Sequence, residues 1–230
     1  MFRNLLACFL LSCLPAIAVA QFDEDQTGAW YMYLWNTTLQ DSRFGFQGDM
    51  QHRNWDIGRD LEQLLVRGGV TWTPQGSTIK YTLGYAHITS SAFGPSSTKT
   101  KEQRVYEEAL IPQRIGARGF MTHRLRLEQR DVDNQDLRTR LRYLIGFNYP
   151  FNQDTLGKGA IYLALSNEFF LNLEQDIGRN RKVDYFDRNR AYVALGYSLT
   201  DTMRFQFGYM QQELDAAGKG QLQFSVIHTF

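Results

Sequence analysis

Between residues 119 and 130, Met121, His123, Leu125 and Leu127 alternate with Thr122, Arg124, Arg126, Glu128 and Arg130. A two-residue period belongs to a β-strand, whose side chains point to opposite faces in turn, so one face of this segment is apolar and the other ionic. The next segment repeats the pattern: Thr139, Leu141, Tyr143, Ile145 and Phe147 alternate with Arg138, Arg140, Arg142 and Gly146, and 131–136 supplies the turn between them. The same reading along the chain gives eleven strands, at 29–39, 43–53, 61–73, 78–88, 102–111, 119–130, 137–149, 160–171, 187–199, 203–212 and 221–230. Most have the roughly ten residues that a tilted strand needs to cross a bilayer, against about five or six in soluble sheets.

The pattern predicts an all-β, antiparallel, up-and-down transmembrane β-barrel over residues 21–230. Bacterial single-chain barrels have even strand numbers, because first and last strands that run antiparallel close the edge, so about 12 strands are expected, with 10 as the alternative. A twelfth would lie in 21–28 or within 172–186. Connections at Thr200–Asp201 and at 74–77 are tight, while 89–101 and 172–186 are long. Short turns at one end and long loops at the other are the habit of outer-membrane barrels. Trp30, Trp35, Trp72, Tyr85, Tyr197 and Tyr209 near strand ends suit an interfacial girdle, and the chain ends in Phe224, Val226, His228 and Phe230. A terminal aromatic after alternating apolar residues resembles the signal read by barrel-insertion machinery. The competing architecture is a soluble exported β-barrel or sandwich that turns its apolar face inward and binds a ligand there.

The first 20 residues change the compartment. Arg3, an apolar run from Leu5 to Leu14 broken by Ser12, and the ending Ala18-Val19-Ala20 read as a secretory signal peptide cleaved after Ala20. Leu10-Leu11-Ser12-Cys13 is the alternative, a lipoprotein processing box. Both cysteines, Cys8 and Cys13, fall inside this leader, so thiolate chemistry and disulfides are excluded from the exported chain. After its removal 24 basic residues face 24 acidic ones, which gives no basic field for nucleic acid. The localisation expected is the outer membrane of a Gram-negative bacterium, reached through the periplasm.

Several motifs, in order, resemble a known family. They are Leu65-Val66-Arg67-Gly68-Gly69-Val70, Leu83-Gly84-Tyr85, Glu102-Gln103-Arg104-Val105, and His123 to Arg130. Arg140-Leu141-Arg142-Tyr143, Ser166-Asn167-Glu168-Phe169-Phe170 and Arg188-Asn189-Arg190-Ala191-Tyr192 follow. Together they resemble the domain of unknown function 2490 family, which implies an exported outer-membrane barrel and carries no activity over to any residue. The chain departs from the pattern at Arg67-Gly68-Gly69, in place of Arg-Pro-Gly, and at Glu107-Glu108, in place of glutamines.

With the apolar face toward lipid, the opposite face is arginine-rich. Its basic residues are Arg53, Arg67, Lys80, Arg104, Arg124, Arg126, Arg130, Arg138, Arg140, Arg142, Arg188, Arg190 and Arg204, against Asp49, Glu102, Glu108, Glu128 and Glu168. Arginine outnumbers lysine 19 to 6 in the chain, as suits a crowded interior where planar guanidiniums bridge carboxylates bidentately. Two roles follow for this lumen. In one, Glu128 across its hairpin from Arg138 or Arg140, joined by Glu168, Glu102 and Arg190, knits a structural salt-bridge network. In the other, unpaired arginines make a narrow channel that prefers small anionic solutes. A third reading, an outer-membrane lipid hydrolase, would rest on His87-Ile88-Thr89-Ser90 and has no acid nearby to orient the imidazole. His52, His123 and His228 stand singly, without metal-site spacing, and no cofactor motif occurs, so no cofactor is expected. Glu107, alone on the outward series, suggests a bulge or a strand that begins near the headgroups.

Overall fold

The computed structural model describes residues 27–94, 98–214 and 217–230; the leader read at 1–20 lies outside them. Its strands are β1 (Gly28–Thr38), β2 (Phe44–Asp56), β3 (Arg59–Trp72), β4 (Lys80–Ser91), β5 (Lys99–Ile115) and β6 (Gly119–Val132). They continue as β7 (Arg138–Pro150), β8 (Ile161–Asn172), β9 (Phe186–Ser198), β10 (Met203–Leu214) and β11 (Ala217–Thr229). Each strand pairs with its neighbours in sequence, and β1 pairs with β11 to close a barrel.

The all-β barrel expected from alternation is present, and its strands are the eleven segments read from the sequence. The twelfth strand that even-numbered closure called for is absent from the described residues. Closure is parallel: β1 and β11 run together from Gly28↔Gln221 to Asn36↔Thr229. A parallel ladder satisfies edge N–H and C=O groups as an antiparallel one does, so the demand for closure leaves strand parity free. Within 172–186 the structure forms only an isolated bridge, Asp176↔Lys182.

Parallel closure puts Thr27, the first described residue, and Phe230 at opposite ends. Thr27 lies at one, with connections 57–58, 133–137 and 173–185, the end of β4 and the start of β5; Phe230 lies at the other, with 39–43, 73–79, 116–118, 151–160 and 199–202. The connections read as tight, 73–79 and 199–202, share the C-terminal end, and those read as long share the N-terminal end. The division is incomplete, because the two-residue turn 57–58 and the ten-residue connection 151–160 fall on the other sides. Gly58, at φ +75°, supplies the left-handed residue that so short a hairpin turn requires.

The faces sort as alternation requires. Leu83 (61% exposed), Leu195 (60%) and Phe207 (51%) point outward, while Arg126 (3%), Glu128 (1%) and Arg140 (3%) point into the lumen. Trp30 corrects the girdle reading: it is 3% exposed and opposes the luminal Arg53. The outward residues of β1 are Tyr31, Tyr33 and Trp35, so the same alternation fixes Trp30 inward. Tyr85 and Tyr209 lie mid-strand, where their hydroxyls donate to the outward Gln103 (2.9 Å) and Gln211 (3.1 Å). Outward aromatics gather instead at the C-terminal end, with Trp35, Phe46, Trp72, Tyr81, Tyr149 and Tyr197. Glu107 marks neither a bulge nor a strand start. It sits at the midpoint of β5, with 99–106 before it and 108–115 after, opposed by Leu83 and Leu127 in unshifted ladders. β5 runs past β4, whose last pair is Lys80↔Leu110, and Pro112 occupies that overhang, where no β4 partner needs its missing N–H.

Inside, two tyrosines lie across glycines of the next strand. A Cβ on Gly84 would collide with the Tyr106 ring, and one on Gly196 with the Tyr162 ring, so each glycine admits an aromatic that fills the lumen. Tyr162 packs with Ala160, Ala164 and Ala194 near the C-terminal end.

Paired cysteines test the parallel closure, since Cα atoms of opposed residues fall within disulfide range and both native cysteines precede Gln21. Tyr31→Cys with Phe224→Cys, and Trp35→Cys with His228→Cys, should both cross-link on oxidation of the folded barrel, read as a mobility shift without reductant. An antiparallel seam could bring at most one of these pairs into register.

Candidate functional site

The inward positions of β5 to β9 bring the predicted arginines together because antiparallel neighbours place like-numbered faces side by side. Arg104 opposes Arg130, Arg126 opposes Arg142, and Glu128 opposes Arg140. Rows of cations on adjacent strands are tolerable only with carboxylates between them, and the structure supplies these at few points.

Glu128 is the centre. Arg140 Nη2 donates to it at 2.7 Å and Arg142 Nη1 at 2.6 Å, while Arg104 and Arg126 each stand 3.7 Å away. Glu168 receives Arg124 at 2.7 Å and Arg142 at 2.9 Å. Glu108 receives Arg126 and the Gln47 amide, the latter at 2.8 Å, with Arg124 at 3.6 Å. Glu102 holds Arg104 at 2.6 Å and Arg130 at 2.5 Å. Across the lumen, Arg67 pairs with Asp49. The network that the sequence allowed is therefore built, with Arg140 as the partner of Glu128 across the hairpin. Arg138 and Arg190 stay outside it: neither has a carboxylate within ion-pair distance among the described residues.

Two luminal acids were missing from the sequence reading, and each sits on a β-bulge. In the β8–β9 ladder Phe170 opposes Arg188 and Leu171 opposes Phe186, which leaves Asp187 as the extra residue. It accepts from Arg140 at 2.7 Å and Arg188 at 3.1 Å. In the β2–β3 ladder Arg53 opposes Gln63 and Asn54 opposes Leu61, leaving Glu62 over. Glu62 turns to Lys219 (3.5 Å) and Gln221 (3.3 Å). Strict alternation puts both acids on the outer face, and only the extra residue of a bulge changes that parity.

A luminal cavity of about 580 Å³ adjoins the network, lined by ten arginines (Arg53, Arg67, Arg104, Arg124, Arg130, Arg138, Arg140, Arg142, Arg188 and Arg190) and three carboxylates (Glu62, Glu102 and Glu168). Charge is concentrated toward the N-terminal end, where Arg53 lies near the end of β2, Arg138 starts β7, and Arg188 and Arg190 lie near the start of β9. The C-terminal half is lined by small polar groups such as Thr71, Thr82 and Ser198. Lys80 and Arg204 stand there at strand starts. The arrangement presents guanidinium groups to the cavity, and guanidinium recognises carboxylate and phosphate oxygens. His87 and Ser90 do not come together: His87 lies on the outer face of β4, and Ser90, on the inner face, accepts from the Gln63 amide at 2.8 Å.

Compared with known proteins, residues 27–223 match the family model described as "Protein of unknown function (DUF2490)". No curated protein and no solved structure matches the chain.

Replacing Glu128 tests the network. Glu128→Gln leaves four guanidiniums around a neutral amide and should cost about 3–5 kcal/mol, as breaking a buried ion pair from one side does. The measurement is the denaturant midpoint of the refolded barrel, and a shift under about 1 kcal/mol would show that the ion pairs do not hold the lumen together.

Proposed function

The chain belongs to the DUF2490 family, and we propose that it is an exported outer-membrane β-barrel whose arginine-lined lumen forms a narrow, anion-preferring passage. The observation that carries this reading is the sorting of the two faces, apolar outward on long strands and arginine-rich inward. A barrel in water turns its charges out and its greasy face in, whereas a bilayer asks for the reverse. Outer-membrane lipids are then the partners of the outward face. Barrel-insertion machinery would read β11, whose ladder continues to Phe230 through its N–H bond to Asn36 O at 2.9 Å. With Phe230 at the periplasmic rim of a Gram-negative outer membrane, the connection 173–185 and the basic mouth face outward. The leader at 1–20, cleaved after Ala20, would deliver the chain to the periplasm.

Excess guanidinium in a low-dielectric tube raises the local concentration of anions and repels cations. A specific feature also favours a second reading, a filled scaffold: four guanidiniums converge on Glu128 inside the lumen. Planar-bilayer recording separates the two. Barrels that migrate as folded on unboiled gels should give small anion-selective steps under a salt gradient, and Arg138→Gln with Arg188→Gln should move the reversal potential toward zero. Silent inserted barrels, or an unmoved reversal potential, would leave the scaffold.

The membrane part has its own test at Glu107. A carboxylate at mid-strand on a lipid-facing wall is unfavourable, so Glu107→Leu should stabilise the barrel in lipid vesicles by about 1 kcal/mol. An unchanged or lower unfolding midpoint would argue that this face does not meet hydrocarbon.

A further inference from the structure

The Arg–Glu network leaves one group of cations without an ion-pair partner among the described residues. Arg190 lies between two aromatic rings on different strands, 4.8 Å from the centroid of Trp30 and 4.8 Å from that of Phe170. Arg53 lies on the same Trp30 ring at 3.7 Å. Two guanidiniums thus share one indole, and among the described residues neither has a carboxylate within ion-pair distance. Their protein acceptors are neutral amides: Gln212 takes Arg190 Nε at 2.8 Å, and Gln51 and Gln63 take Arg53 at 3.0 and 2.6 Å. Among the described residues the hydrogen bond of Arg190 engages Nε and leaves both terminal nitrogens without a protein acceptor, and the side chain lines the cavity. Arg138, lining the same cavity and 8% exposed, has buried Nε and Nη1 atoms with no hydrogen-bond partner among the described residues.

The backbone marks the same place. The two register shifts in the described ladders fall at Arg53/Asn54 and Phe170/Leu171, on the residues that flank Arg190. Bulges re-aim side chains, and the acids they release into the lumen go elsewhere, Glu62 to Lys219 and Asp187 to Arg140 and Arg188. The rings hold the guanidinium faces; every nitrogen of Arg53 donates once to a glutamine and keeps its second terminal N–H groups, while Arg190 keeps its terminal edge, the edge by which arginine takes oxyanions bidentately.

We propose that Arg53 and Arg190, set against Trp30 and Phe170, together with Arg138 lining the same cavity, form a binding site for a small oxyanionic solute, a phosphomonoester or carboxylate. The inference rests on the reading of the lumen as anion-accepting and adds an equilibrium site to it. A cavity of about 580 Å³ falls within the range of small-molecule sites and exceeds what a bare phosphate fills.

The experiment is calorimetric titration of the refolded barrel in detergent with inorganic phosphate, with chloride as the comparison anion. Wild type should bind phosphate saturably, one per barrel, and Arg190→Gln and Arg53→Gln should each weaken it at least tenfold while still migrating as folded barrels. Arg118→Gln, which removes an exposed partner of Asp154, should bind as wild type does. Absence of saturable binding, or an Arg190→Gln variant that binds like wild type, would overturn the site. Should the variants fail to fold, phosphate must raise the unfolding midpoint of the wild type by mass action, and no rise overturns the site equally. Binding without conductance removes the passage and keeps the site, whereas conductance without saturable binding does the opposite.

Discussion

Closure of the backbone ladder governs everything else in this molecule. A sheet with an open edge leaves a row of unpaired N–H and C=O groups, and here β1 meets β11 so that no edge remains. Once the sheet is a tube, each strand must commit alternate side chains to a shared interior and a shared exterior. A one-residue slip in any ladder would send arginines outward and leucines inward, so pairing and face chemistry enforce one another. The register is unshifted in nine of the eleven ladders, where directly opposed residues such as Arg126 and Arg142 keep the same face.

That commitment makes the interior a polar core. Its packing comes from tyrosines laid over Gly84 and Gly196 and from ion pairs, where a soluble domain would use aliphatic side chains. Glu128, 1% exposed, does for the lumen what a buried leucine does for an ordinary core: it fixes the relative positions of β5, β6 and β7 through Arg104, Arg140 and Arg142. Arginine suits this better than lysine because one planar group can serve two carboxylates at once, as Arg142 does between Glu128 and Glu168.

The fold was largely legible because its signal is local and repeated. Two-residue alternation places the strands within a few residues, and it assigns Arg126, Glu128 and Arg140 to one face without any knowledge of partners. What escaped was non-local. The parallel seam is set by which edges remain when ten hairpins have formed, and no residue of β1 or β11 announces its direction. Asp187 and Glu62 were missed because a bulge shifts parity by one residue, and it shows only when the opposing strand is counted. Trp30 is a different case: its aromatic type suggested an interface, while its parity beside Tyr31 and Tyr33 already placed it opposite Arg53. Position carried more information than residue type.

Carboxylates are the scarce partner in this lumen, and their placement decides whether a given arginine is structural or receptive. Glu128 draws four guanidiniums toward one point, which spends little negative charge on much of the network and still leaves cations over. The surplus is not scattered. It falls where aromatic rings take over the task of holding guanidiniums in place, at Trp30 and Phe170, and where the neighbouring acceptors are glutamines. Neither Asp187 nor Glu62 comes within ion-pair distance of Arg190: Asp187 pairs with Arg140 and Arg188, and Glu62 with Lys219. Both acids are turned to other cations, so among the described residues the charge on Arg53 and Arg190 meets aromatic faces and glutamine oxygens, with no carboxylate within ion-pair distance.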